Sequence, residues 1–194
     1  MVCTVKDPEY EEEIREDLYK VRVPNLEVWK GFQDLTASYL QLEEGKIDKM
    51  LYYLQTEDME HFSREYKRIL QEIPSYYYDL KDENSCHMMI LGMCVFLRGT
   101  YQARSNRESG RGRGAILLYS RKCGCPSMIL EFRYTRGRSE DLEELALKAI
   151  GQIKEKDYSA GMTGQVWYVG FAHREKEAAV KWEKQIDFPD EGRI

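Results

Sequence analysis

Apolar positions along this 194-residue chain change their period near the middle. Leu26, Trp29, Phe32, Leu35, Tyr39, Leu40 and Leu42 recur at three- and four-residue spacing, which predicts an amphipathic helix running to about residue 44. Pro24 stops what precedes it, and Asn25 is placed to cap. Gly45 is expected to break this helix, with a shorter one over 47–54. A third opens near Thr56, with Met59, Phe62, Tyr66, Ile69 and Leu70 on one face. Residues 82–85 then lead into a strongly apolar helix over 87–98. Ahead of all this, two β-prone runs at 3–6 and 18–23 flank an acidic connection and predict a hairpin.

Beyond residue 100 the runs are short and strand-like. Strands are predicted over 101–108, 115–119 and 128–134, with a Gly-Arg turn at 110–114. A helix follows to about Lys156, capped by Ser139 with Asp141 and Glu143, its inner face built from Leu142, Leu145, Ala146, Ala149, Ile150 and Ile153. Residues 165–172 form a near-continuous apolar run, as in a strand covered on both faces, and 178–182 predict an edge strand. Three strands, a helical crossover and two more strands give an α/β fold: a mixed central sheet flanked by helices, with an N-terminal helical region. The expected division is 1–24 as hairpin and linker, 25–80 as helical region and 81–194 as core.

Composition narrows the class. Apolar residues are 42% and charged residues 32%, as in a globular domain. The longest apolar run, 88–97, is about half of the roughly 20 residues that span a bilayer. With no apolar signal segment at the N-terminus and five cysteines, an odd number, the expectation is reduced thiols and an intracellular protein of cytoplasm or nucleus. Cys123-Gly-Cys125 reads as a hairpin tip rather than half of a zinc site. The net charge of −5 conceals a basic stretch: residues 104–138 hold nine Arg or Lys against Glu108 and Glu131. That local excess suits a polyanion.

Glu131 and Arg133 lie two apart in a predicted central strand and so share a face, where a carboxylate and a cation need partners. The motifs around them are specific. Glu108-Ser-Gly-Arg-Gly-Arg-Gly-Ala115-Ile116 is followed by Ile129-Leu-Glu-Phe-Arg133 and then Ala149-Ile-Gly-Gln152-Ile-Lys-Glu-Lys156-Asp-Tyr158. This order resembles the PD-(D/E)XK nuclease-like domain, in the version found at the C-terminus of AAA-ATPase-like proteins. Val23-Pro-Asn-Leu-Glu-Val28 and His87 before its apolar helix extend the likeness upstream. The ATPase phosphate loop, G-x-x-x-x-G-K-[ST], does not occur in the sequence. Taken alone, His87 reads as a capping or core histidine, and Tyr76-Tyr-Tyr78 as a packed turn.

The resemblance implies a restriction-endonuclease-like core, Mg²⁺ or Mn²⁺ as cofactor, nucleic acid as partner and phosphodiester hydrolysis as chemistry. It implies Glu131 and Glu108 as metal ligands, Glu131 also as a catalytic residue, and Gln152 and Tyr158 as supports. Two positions depart from the pattern. Ala115 stands where the family has its metal-binding Asp, and Arg133 where it has Lys. Alanine offers no ligand, and a guanidinium stays protonated, so it binds phosphate but cannot act as a base. Ala115 reads either as natural divergence to a pseudonuclease or as an Asp→Ala replacement disabling an active enzyme. The expected activity is nucleic-acid binding, with Arg104, Arg107, Arg111, Arg113, Arg133, Arg136 and Arg138 on phosphates. The alternative is a protein-interaction module, its partner held by the N-terminal helices through Trp29, Phe32 and Tyr39.

Overall fold

A computed structural model describes residues 3–6, 19–22, 25–74, 81–105, 114–159, 162 and 164–185. Strands β1 (Cys3–Lys6) and β2 (Tyr19–Arg22) pair antiparallel, as the hairpin reading requires. Helix α1 (Leu26–Leu40) starts where expected: Asn25 Oδ1 accepts from Val28 N–H at 2.9 Å. It ends four residues early, at Gln41, which takes a left-handed conformation (φ 52°). Gly45 therefore does not break α1; it lies inside α2 (Glu44–Gln55). Helix α3 (Met59–Glu72) is capped by Asp58, and α4 (Glu83–Met93) by an Asp82/Ser85 capping box, before a 3-10 turn at Cys94–Leu97. The later helix, α5 (Leu142–Glu155), is capped by Asp141 alone; Ser139 lies outside the cap.

Strands β3 (Tyr101–Ser105), β4 (Ile116–Ser120), β5 (Ser127–Tyr134), β6 (Val166–Arg174) and β7 (Glu177–Lys184) form one sheet in that spatial order. All pairs are antiparallel except β5–β6, which is parallel because α5 carries the chain across between them. This is the expected mixed sheet, consistent with a restriction-endonuclease-like α/β fold. The β6 register explains its apolar run: its residues from Val166 to His173 are buried, with helices on both faces.

One face of the sheet carries the main core, continuous from Ala37 on α1 to Val180 on β7. Tyr66 and Phe62 of α3 meet Phe171 edge-on at 5.2 and 6.2 Å, and Phe132 stacks on Phe171 at 5.1 Å. Each such ring contributes roughly 1.5–3 kcal/mol through removal from water. Polar ties bind the α2–α3 region to the last two strands and the turn between them. Tyr66 Oη and His173 Nε2 are 2.6 Å apart. Gln71 Nε2 donates to Lys176 O at 3.0 Å. Glu57, left-handed at φ 62°, accepts from Trp167 Nε1 at 3.1 Å and pairs with Lys184 at 2.9 Å.

The opposite face is covered by α5. Its small and branched residues Ala146, Ala149, Ile150 and Ile153 are buried against the sheet. Gly170 sets how near the helix comes: a Cβ there would fall 2.1 Å from Ala146 O. Glycine in the middle of a strand marks such a close approach.

Candidate nucleic-acid site

The α5 face of β5 alternates out of the apolar pattern. Ile129 packs under Ile150 and Ile153, but the next residues on that face are Glu131 and Arg133. Glu131 is 2% exposed. Burying a carboxylate is costly unless it is hydrogen-bonded, and Gln152 of α5 supplies that. Its Nε2 donates to Glu131 Oε1 at 2.9 Å, while its Oε1 accepts from Arg133 Nη2. The Gln152 amide carries both a donor and an acceptor, so it bonds the carboxylate with one end and the guanidinium with the other. Gln152 is therefore a coupler between acid and cation, and the close seat of α5 on Gly170 puts it there.

Arg133 is half-buried, and its Nε has no hydrogen-bond partner among the described residues. That Nε is itself buried, so whatever Arg133 can offer an anion lies in its other guanidinium N–H groups.

Ala115 lies at the mouth of β4. The β4–β5 register pairs Ile116 with Leu130, so continued by one residue it sets Ala115 opposite Glu131. Two positions 16 residues apart in sequence are thereby brought side by side. Ala115 is fully buried in an apolar cluster with Leu117, Ile129, Ile150, Ile153 and Tyr158. Tyr158 adjoins the site through this packing, with Lys156 Nζ 5.7 Å from its ring centre. Arg104 of β3 pairs with Leu117 and so falls on the same sheet face, exposed, its guanidinium over the Tyr119 ring at 5.1 Å. Arg136 and Arg138 are exposed in the loop between β5 and α5. Glu108, Arg107, Arg111 and Arg113 lie outside the described residues, as does Tyr76-Tyr-Tyr78.

Among the described residues, those at the site do not fit the divalent metal that it would hold. Magnesium favours oxygen ligands and uses one or two carboxylates. Here Glu131 faces a methyl group and is coupled to a guanidinium, and among the described residues no three His, Cys, Asp or Glu are grouped to hold an ion.

Several side chains find other roles. His87 belongs to the opposite face, edge-on to Phe132 at 5.5 Å with Nε2 3.0 Å from Ser105 Oγ, the core histidine that its context suggests. His61 Nδ1 lies 2.8 Å from Asp58 Oδ1. Trp29 is turned inward: its Nε1 donates to Val95 O at 2.9 Å and Arg98 covers its ring at 4.5 Å. It is thereby engaged within the chain, whereas Phe32 and Tyr39 are exposed. Gly170, His173 and Arg174 were missed by sequence reasoning. Only Gly170 carried a signal, a glycine interrupting an apolar run.

Residues 81–183 match the family model described as the PD-(D/E)XK nuclease superfamily. No curated protein and no solved structure matches the chain.

Proposed function

The chain belongs to the PD-(D/E)XK nuclease superfamily, and from that premise we propose that it binds nucleic acid through its phosphate backbone without cutting it. The observation that carries this reading is Arg133: a half-buried guanidinium oriented by Gln152 on the site face, where a nuclease needs metal chemistry. A fixed guanidinium matches the geometry of a phosphate. Arg104, Arg136 and Arg138 extend positive charge at the same end of the sheet. Contacts of this kind fix position on the backbone and carry little base specificity, so DNA and RNA are both eligible. The motifs at Val23-Pro-Asn and His87 support the further reading that the domain is the type appended to AAA-ATPase-like proteins.

Cleavage and binding assays test this together. Plasmid, single-stranded DNA and RNA are incubated with Mg²⁺ or Mn²⁺ and this chain, Ala115→Asp, or Ala115→Asp/Arg133→Lys. The expected result is no cutting by the chain itself, with binding that falls by orders of magnitude between about 50 and 200 mM salt. Metal-dependent cutting by the unaltered chain would overturn the reading. Cutting gained by Ala115→Asp alone would identify a disabled enzyme that tolerates Arg133. A protein-interaction role is favoured by one observation, the outward apolar residues Phe32 and Leu35 of α1, 46% and 64% exposed. Its mark is association that salt leaves unchanged.

A further inference from the structure

The loop between β5 and α5 is tied down by main-chain and side-chain bonds that its exposed position does not require. Thr135 N–H donates to His173 O at 2.9 Å, and Gly137 N–H to Thr135 Oγ1 at 2.9 Å. From the end of β6, Arg174 reaches across. Its Nη1 lies 3.3 Å from Gly137 O, 3.4 Å from Arg138 O and 3.1 Å from Glu140 O. Its Nε and Nη2 donate to Glu177 Oε2 at 2.9 and 2.6 Å. Arginine has five donors and no acceptor, and Arg174 directs its donors at three carbonyls of one loop and at an acid on its own hairpin.

The clamped loop presents two cations. Arg136 and Arg138 are exposed and make no ion pair among the described residues. Arg136 is three residues beyond Arg133, so the two Cα atoms are at most about 10 Å apart. Resting on the nucleic-acid reading above, we infer that Arg136 and Arg138 form a preset grip for the phosphates of a nucleic-acid backbone, and that Arg174 is its positioning residue. Arg174 touches no phosphate itself. It holds the loop so that both guanidiniums meet the backbone without first being ordered, which is how preorganisation strengthens binding.

The test is a double-mutant cycle read by fluorescence anisotropy on labelled single- and double-stranded DNA across a salt series. Arg136→Ala/Arg138→Ala should weaken binding about tenfold or more and lower the salt slope by about two. Arg174→Lys keeps the charge but not the fork. It should weaken binding severalfold in the unaltered chain and not at all in the Arg136→Ala/Arg138→Ala background. Equal loss in both backgrounds, or no loss, overturns the positioning role. If Arg174→Lys shifts the thermal transition, Glu177→Gln loosens the same clamp from its other end and must show the same dependence on background. A chain that fails to bind at about 50 mM salt removes the nucleic-acid reading and the grip with it. A chain that binds, with losses that simply add, removes the grip alone.

Discussion

The two faces of β5 each bury polar groups, and they do so by different means. On the α3 side, Phe132 lies in an aromatic layer with Phe171, Tyr66 and His173, where the polar contact is between a phenol and an imidazole 2.6 Å apart. Burial holds the His173 imidazole down at about 4, so the imidazole is neutral at physiological pH. On the α5 side, acid and cation are kept, and a single amide from Gln152 joins them. The first arrangement fills space and makes the face rigid. The second leaves a guanidinium with donors to give. A strand alternating between these faces can serve as core and site at once.

The contrast can be broken at four points. Gly170→Val should have the largest effect, because its side chain would enter the Ala146 carbonyl and lift α5 from the sheet; denaturant unfolding should show a loss of about 3 kcal/mol or more. Acid should disturb the aromatic face nearly as much. The His173 pKa is about 4 when folded, below the ordinary 6.5, so the unfolded chain takes up the proton first. Its contribution is intact above pH 6.5. It falls away on acidification toward pH 4, by up to about 3 kcal/mol. His173→Gln should flatten that part of the stability–pH curve. Gln152→Ala strips the coupler from the site face and should cost about 2 kcal/mol, with weaker DNA binding as Arg133 loses its orientation. Tyr66→Phe leaves His173 without its phenol and should cost about 1 kcal/mol in the same unfolding assay, leaving DNA affinity unchanged.

The elements visible in sequence were those with a strong period. Strands 115–119 and 128–134 and the α5 inner face could be read because each buries a repeating set of residues. Boundaries were harder: Gly45 looked like a helix stop, but the turn uses left-handed Gln41, which no composition rule singles out. In the site, Glu131, Arg133, Gln152 and Ala115 converge as their motif spacing implied. The residues that make the site possible were less legible. Arg174 is separated from Gly137 by 37 positions, and His173 from Tyr66 by 107. Contacts of that range depend on strand order and crossover geometry, which local patterning does not encode.

The ties from Glu57 to Trp167, from Tyr66 to His173 and from Gln71 to Lys176 each join positions more than a hundred residues apart. They bear on the order of events during synthesis. When α2 and α3 leave the ribosome, β6 and β7 have not been made, and Phe62 and Tyr66 must wait for Phe171. The part of the α3 apolar face that meets Phe171 is therefore open to nascent-chain binding factors until β6 has emerged. Closing loops of this length makes folding slower than that of a helical bundle held by local contacts.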